Sequence, residues 1–208
     1  MTIRKGSEWG SIGPVPDDVV RVRSDAELHR LVVDARRAGA AIPPVALLGG
    51  ALMRAVGGDG DDRRLSGEVP RLPCDLVRVE LQTAQRIEVS WAAVHVLARR
   101  SWWRGPLVAA MNGQFLDEWD VAPRAHPNDG RVDVVEVDRA MPVRDRWRAR
   151  GRLPAGMHVP HPAITTRQRD EVELVFERPL RVWADGVEVG EARVLRLVVE
   201  PDAFVVCV

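Results

Sequence analysis

Apolar and polar residues alternate along much of the chain after about Cys74, and this alternation predicts a region built mainly from β-strands. Successive side chains of a strand point to opposite faces, so a period of two is typical of a sheet with one buried face. The alternating runs are Asp75–Leu81, Arg86–Val96, Arg131–Val137, Val172–Glu177, Leu180–Ala184, Val187–Val189, Val194–Val199 and Phe204–Val208. The predicted core of this region includes Val172, Leu174, Phe176, Val182 and Leu197.

A helical pattern precedes the alternating region. Ser24 and Glu27 have the spacing of a capping box, and Gly39 ends the segment. Its apolar face consists of Leu28, Leu31, Val32 and Ala35. His29 is expected on the polar flank of this helix, without a functional role. A second, short and basic helix is predicted at Val143–Arg150.

Gly49 and Gly50 stand between a short apolar run, Val45–Leu48, and a segment that favours a short helix, Ala51–Val56. A strand, a glycine turn and a helix in that order can present helix N-terminal amides to a phosphate. Arg54 lies one turn inside the helix. The pattern therefore predicts a phosphate site at Gly49, Gly50 and Arg54, although a tight turn without a ligand has the same signature.

These patterns divide the chain into three parts. Residues 1–23 are predicted to be an irregular arm because of their glycines and prolines, with Trp9 docking onto the body. Residues 24–73 form a small α/β part, and residues 74–208 an all-β part. The predicted fold class is therefore α+β.

Composition excludes several classes of function. Thirty basic residues balance thirty acidic ones, so no excess of positive charge attracts nucleic acid. Lys5 is the only lysine, which leaves no phosphate-loop lysine and no internal lysine for a Schiff base. No apolar run approaches the roughly 20 residues that span a bilayer. Cys74 and Cys207 are read as free thiols of a cytoplasmic protein.

A tight reversal is predicted at Asn128-Asp129-Gly130, whose residues tolerate left-handed backbone geometry. Asp129 and Asp133 place carboxylates on either side of it. A solvated hairpin with acidic edges explains them, and Asp129 and Asp133 are also candidate metal ligands.

From about Gly105 onward the chain resembles the C-terminal β-sandwich domain of bacterial diacylglycerol kinases, lipid kinases related to sphingosine kinases and NAD kinases. The resemblance rests on Asn112-Gly113, Val121–Ala125, Pro127–Val134, Gly156-Met157-His158, His161-Pro162 and Val182–Gly186. A weaker match covers Leu48–Val56, which resembles the family's G-N-D-F-A-R-A-L segment. The resemblance implies a β-sandwich preceded by a truncated nucleotide-binding part, with ATP and Mg²⁺ as possible cofactors.

The chain departs from the family pattern where the family carries its chemistry. Too little sequence precedes Val45 to hold the family's G-G-D-G-T nucleotide loop with its strand and helix. The resemblance implies that Asp185 matches the aspartate of the D-G-E motif, the candidate catalytic residue. Val187 stands at the position of the general-base glutamate, and Glu188 would point to the opposite face.

Three functional hypotheses follow. The first is a shortened, non-catalytic or ligand-binding homologue of the lipid kinases. The second is an active ATP-dependent lipid kinase with a rearranged site using Arg54, Asp129 and Asp185. The third is a subunit that completes a nucleotide site with a partner chain. The expected ligand is a nucleotide or a lipid headgroup. A protein partner or a homo-oligomer is also expected to be possible.

Overall fold

Thirteen strands and three α-helices are present in residues 9–208, the part of the chain that the computed structural model describes. The helices are α1 (Asp25–Arg37), α2 (Gly50–Ala55) and α3 (Val143–Arg152). The strands are β1 (Ser11–Pro14), β2 (Val20–Val22), β3 (Val45–Leu47), β4 (Glu68–Gln82), β5 (Ile87–Ala92), β6 (His95–Arg99), β7 (Leu107–Met111), β8 (Phe115–Leu116), β9 (Trp119–Asp120), β10 (Val132–Val137), β11 (Ile164–Arg169), β12 (Glu171–Ala184) and β13 (Val187–Cys207).

One hydrogen-bonded sheet runs in the order β1-β4-β13-β12-β6-β7-β10-β11, with β5 added to β4 and the pair β2-β3 added to β13. Most neighbours are antiparallel; β2 with β3 and β3 with β13 are parallel. The register of the long strands shifts between Glu200 and Phe204 and again between Val182 and Trp183. Such bulges bend a strand and let it serve two packed layers.

β13 joins the two parts of the chain that the sequence separates. Its last residues pair in parallel with β3, as Val206 does with Val45, while the rest of the strand pairs with β4 and β12. β4 begins at Glu68 and so crosses the predicted boundary at residue 74. The α/β part and the sandwich therefore share one continuous sheet, and the division at residue 74 stays a prediction.

The arm that was predicted to be irregular contains two short strands, which corrects that expectation. Ser11–Pro14 pairs with β4 at the sheet edge, and Val20–Val22 pairs with β3. Edge strands tolerate glycine and proline, so these residues did not exclude strand structure there. Trp9 docks as predicted, with its indole Nε1 donating to the Pro73 carbonyl at 3.0 Å. Residues 1–8 lie outside the described part.

The main core fills the sandwich and contains all five residues predicted for it: Val172, Leu174, Phe176, Val182 and Leu197. A second cluster packs Leu28 and Val32 of α1 and Leu52 of α2 against Phe204 and Val206 of β13. The α+β class, with a small α/β part followed by a β-sandwich, is confirmed. None of the helices within residues 9–208 is long and apolar enough to cross a membrane.

Candidate functional site

Asp185 sits in the two-residue turn that joins β12 to β13. Asp185 and Gly186 both have positive φ, 49° and 83°, as a tight hairpin with a right-handed twist requires. The Asp185 side chain folds over the segment between β5 and β6. Its Oδ2 accepts from the Ala93 amide at 2.7 Å, and its Oδ1 accepts from the Val94 and His95 amides at 2.9 Å each. The carboxylate therefore accepts three backbone hydrogen bonds, and the residue is only 1% exposed.

The electrostatics of Asp185 follow from this position. Burial raises its pKa to about 7, a rise that the backbone hydrogen bonds oppose and the negative charge of Asp25 supports. Removing a carboxylate from water disfavours its charged form, and that effect outweighs the three amide donors. The pKa of Asp185 is thus close to neutral pH because the carboxylate is buried.

Two histidines lie beside this carboxylate. His29 is buried and places Nδ1 3.9 Å from Asp185 Oδ2, which corrects its expected position on the polar flank of α1. The helical spacing of apolar residues in α1 did not reveal that the flank carrying His29 packs against β5. His95 is also buried, and its Nδ1 has no hydrogen-bond partner among the described residues. Burial lowers the pKa of His29, and that of His95 to about 4, so both imidazoles are neutral near pH 7.

The predicted strand, Gly-Gly turn and helix at residues 45–55 is present, but its N-terminal amides are occupied. Asp25 accepts from the Ala51 amide at 2.7 Å and from the Leu52 amide at 3.2 Å. Gly50 has φ of 95°, and a Cβ there would lie 2.4 Å from Asp25 Oδ1, so only glycine permits this contact. The anion at this helix N-terminus is a carboxylate of the chain itself.

Arg54 does not point to an open anion site either. Its Nη1 donates to the Asp117 carbonyl at 2.7 Å, and its guanidinium lies 4.4 Å from the centre of the Phe115 ring. Gly50 and Arg54 line one groove together with Asp185, but the helix amides that the glycine turn was predicted to offer a phosphate are bonded to Asp25. Burial raises the pKa of Asp25, with a smaller contribution from the charge of Asp117, and the two helix amides counteract it.

A second buried aspartate, Asp75 of β4, organises the turn that was predicted at Asn128-Asp129-Gly130. Asp75 Oδ2 accepts from the Gly130 amide at 2.8 Å. Asp75 Oδ1 accepts from the Asp202 amide at 2.9 Å and from Asn128 Nδ2 at 3.3 Å. The carboxylate is fully buried, and burial raises its pKa. The family-like Pro127–Gly130 segment is thus clamped onto β4 by one side chain.

Asp129 and Asp133 have protein partners of their own. Asp129 accepts from the Arg131 amide at 2.9 Å, and Asp133 accepts from Gln168 Nε2 at 3.0 Å. Burial raises the pKa of both, that of Asp129 to about 6. Within residues 9–208 no group of three or more His, Cys, Asp or Glu is placed to hold a metal ion. Asp129 and Asp133 thus bond to neighbouring groups of the chain, and the described part of the structure gives no set of carboxylates converging on one point.

Asn112 connects the two aspartates. Its Nδ2 donates to the Asp75 carbonyl at 3.0 Å and to the Ala93 carbonyl at 2.8 Å, and the Ala93 amide in turn donates to Asp185. Asn112 is fully buried. The family-like residues Asn112, Asn128, Gly130 and Asp185 therefore belong to one buried network that fixes loops to the sheet.

A separate apolar cavity of about 90 Å³ lies beneath α3. Its walls come from β6, β7, β10, α3 and the loops around β8 and β9. The bulkiest lining residues are Trp102, Trp103, Trp119, Leu116 and Met141. Trp102 and Trp119 meet edge to face at 5.5 Å between ring centres. A void with such walls stays dry and takes an apolar group.

Two arginines and one histidine supply the polar groups of this cavity. Arg146 is 5% exposed and donates to the carbonyls of Met141, Asp138 and Gly105, so its charge is compensated by the backbone. Arg150 lies over the Trp119 ring at 5.2 Å. His158 is buried, burial lowers its pKa, and neither ring nitrogen has a hydrogen bond of acceptable geometry among the described residues. His158 is therefore a buried lining group that a ligand could bond.

Sequence reasoning missed Asp25, Asp75 and the cavity. Asp25 has the appearance of an ordinary acidic residue in the first turn of α1, and its contact with α2 is a matter of packing. Asp75 carried a signal, because it is a charged residue next to Leu76 and Val77 in a strand segment that is buried throughout. The cavity has no local signature, since its walls come from distant segments.

Comparison with known proteins agrees with this architecture. Residues 74–208 match the family described as the YegS C-terminal NAD kinase beta sandwich-like domain, and the chain belongs to this family. No curated protein matches its sequence.

Three crystal structures of diacylglycerol kinases from Bacillus anthracis str. Sterne share the fold. Their TM-scores are 0.60, 0.58 and 0.55, at 12%, 11% and 11% sequence identity. The similarity covers 91% of this chain in each case, and 77%, 77% and 75% of the other chain. At this identity the likeness establishes the fold alone.

Proposed function

We propose that the chain is a non-phosphorylating member of this family that binds an apolar, lipid-like ligand. The observation that carries the proposal is the state of Asp185. The aspartate aligned with the family's catalytic motif is buried, and three backbone amides occupy both of its oxygens. A group that acts on a substrate hydroxyl has to come within hydrogen-bond reach of it. These three bonds hold the Asp185 carboxylate against the segment 93–95 and leave it little freedom to turn towards a substrate hydroxyl.

The neighbouring residues support the same proposal. Phosphoryl transfer depends mainly on positioning and on neutralising the charge of the transferred group. Among the described residues, the groove next to Asp185 is lined by the carboxyl groups of Asp25, Asp117 and Glu118 and by only two arginines, Arg54 and Arg99. Arg54 is bonded to the Asp117 carbonyl, so this part of the chain gives the groove no cluster of free cations for a phosphate. Val187 supplies no base, and Glu188 lies 4.0 Å from Arg181 in a surface ion pair.

The tryptophan-lined cavity supports the second half of the proposal. It combines apolar walls with one unpaired buried imidazole, the usual composition of a site for a mainly apolar small molecule. The expected ligand has an apolar group that fills the void and one hydroxyl or carbonyl that bonds to His158. This corresponds to the apolar portion of a lipid, with the headgroup oriented towards the arginines at the rim.

A radiolabelled ATP assay with diacylglycerol vesicles tests the first half. The unmodified chain and Val187→Glu are both expected to form no phosphatidic acid at a kinase-like rate, because a restored carboxylate still lacks a phosphate cradle. Robust product formation that Asp185→Asn abolishes would overturn the proposal and favour a kinase with a rearranged site. Activity that appears only with a co-purified protein would instead support the hypothesis of a site shared with a partner.

Thermal denaturation with octanol or octanoate tests the second half. A ligand that binds only the native state raises the melting temperature by mass action. We expect a rise for the unmodified chain and none for Ala149→Leu, in which the larger side chain fills the cavity. Ala140→Leu is the matched control, since Ala140 is exposed and does not line the cavity. Equal shifts in both variants would mean that binding occurs outside the cavity.

A further inference from the structure

Helix α3 presents an unusual outward face. Arg146 is buried on its inner side, whereas Trp147 is 68% exposed and Val143 is 45% exposed. Arg144 and Arg148 are also exposed. Arg144 lies three residues before Trp147 and four before Arg148, so the three side chains belong to one outward-facing arc of the helix. Met157 follows shortly after the helix and is 68% exposed as well. Large apolar side chains therefore project into solvent between arginines.

The charge of α3 contrasts with that of the whole chain. The helix contains five arginines and a single acidic residue, Asp145, while the complete sequence has a formal net charge of zero. Arg144 and Arg148 share that one carboxylate, at 3.6 and 3.5 Å. Arg144 and Arg148 remain largely exposed, with side chains 74% and 58% accessible. The positive field is therefore local and directed outward.

The inner side of the same helix covers the apolar cavity. Arg146, Ala149 and Arg150 of α3 line it, as does Leu153 in the turn that follows. A helix with arginines and a tryptophan on its outer side thus separates an apolar void from solvent. A surface that the outer side contacts lies one helix diameter from the cavity, about 10 Å.

We propose that the outward face of α3, with Val143, Arg144, Trp147 and Arg148, docks onto an anionic lipid bilayer. Tryptophan is favoured at the boundary between headgroups and acyl chains because its ring is apolar and its N–H is polar. Arginines beside it gain from the negative surface potential of the lipids. The helix then lies in the plane of the interface, as amphipathic helices with a basic polar face do.

Charge complementarity and the position above the cavity favour a bilayer over other partners. A single-stranded nucleic acid needs a groove with several stacking platforms, and this face offers one aromatic ring. A bilayer satisfies the arginines and the apolar side chains together. Docking of α3 onto a bilayer does not depend on a ligand in the cavity, so vesicle binding and ligand binding can be tested independently.

Vesicle flotation of the full chain tests the inference. Vesicles of phosphatidylcholine alone are compared with equimolar phosphatidylcholine and phosphatidylglycerol, at low and high salt. We expect binding to the anionic vesicles only, and weaker binding at high salt because salt screens exposed charges. Arg144→Gln with Arg148→Gln should weaken binding by about thirtyfold. Trp147→Ala should weaken it by about tenfold or more and remove the blue shift of tryptophan emission on binding.

Matched variants separate this effect from general changes in charge and hydrophobicity. Arg30→Gln with Arg37→Gln removes two exposed arginines from α1, and Ile87→Ala removes an exposed apolar side chain from β5; neither should alter binding. Unchanged melting temperatures confirm that the variants fold. Binding to neutral vesicles as strong as to anionic ones, or equal loss in the α1 pair, would overturn the inference. So would binding of single-stranded DNA by this face in preference to the anionic vesicles.

Discussion

The groove at Asp185 and the cavity beneath α3 are neighbours with opposite properties. Both are lined by Leu97, Trp102 and Leu116, which form the wall between them. On the groove side, the residues that resemble catalytic landmarks bond to backbone amides and hold loops in place. On the cavity side, the walls are apolar, space remains, and His158 is unpaired. The motif residues mark the first region, which is the more polar and more open of the two, whereas the second is smaller and almost wholly apolar.

This difference shows that residues resembling a catalytic motif can also carry structural hydrogen bonds. Asp185 fixes the segment 93–95, and Asn112 and Asp75 continue the network to the turn at Gly130. Leaving a buried donor without a partner costs about 1–3 kcal/mol, so such residues persist for reasons of stability. The apolar side chains in the walls of the cavity carry no hydrogen bonds of this kind.

Replacing Asp185 by alanine is expected to have the largest effect of the changes considered. Three buried amides lose their acceptor, which should lower the free energy of unfolding by about 3–5 kcal/mol. Urea denaturation measures the loss. Glu188→Ala, three residues away in an exposed ion pair, should change stability by less than about 0.5 kcal/mol. A loss below about 1 kcal/mol for Asp185→Ala would mean that the groove is not held together by this carboxylate.

The pH dependence of stability should isolate the charge of Asp185. Because its pKa rises from 3.8 to about 7 on folding, the folded chain binds a proton more tightly than the unfolded chain. The stabilising contribution is complete below the unfolded pKa and is lost as the pH rises through about 7. Between about pH 5 and about pH 8, the unmodified chain should lose about 2–3 kcal/mol more stability than Asp185→Asn. Parallel pH profiles of the two proteins would contradict the assignment.

Filling the cavity should have the smallest effect on stability. Ala149→Leu adds apolar volume where space exists, so the free energy of unfolding should rise or fall by no more than about 1 kcal/mol. Differential scanning calorimetry of this variant and of Ala140→Leu gives the comparison. A large destabilisation by Ala149→Leu alone would show that the void closes in solution, and the contrast between groove and cavity would disappear.

Much of the fold was predictable because its signals are local. Alternation located the sandwich core, Ser24 and Glu27 located the start of α1, and Asp185-Gly186 located a hairpin turn. The Ser24 hydroxyl accepts from the Glu27 amide at 3.2 Å, as the capping box requires. Local patterns of this kind depend on a few neighbouring residues, and tertiary packing did not override them.

The site was less predictable because its determinants are distant in sequence. The strand, glycine turn and helix at residues 45–55 were present as expected, yet Asp25, from another helix, takes the amides that the pattern offered. The burial of His29 depends on β5 in the same way. A local pattern indicates which groups a segment can bind, but not whether a distant residue of the same chain already bonds to it.

β13 has a consequence for how the chain reaches this structure. Val194 pairs with Gln82, Cys207 pairs with Arg71, and the same strand end pairs with Ala46. Each of these ladders closes a loop of more than 100 residues, and the entropy of that closure has to be lost before the contacts form. Proteins dominated by such non-local pairing fold on slower timescales than helical ones. Because β13 pairs with both β3 and β4, we expect the α/β part and the sandwich to complete their folding together, when this strand is in place.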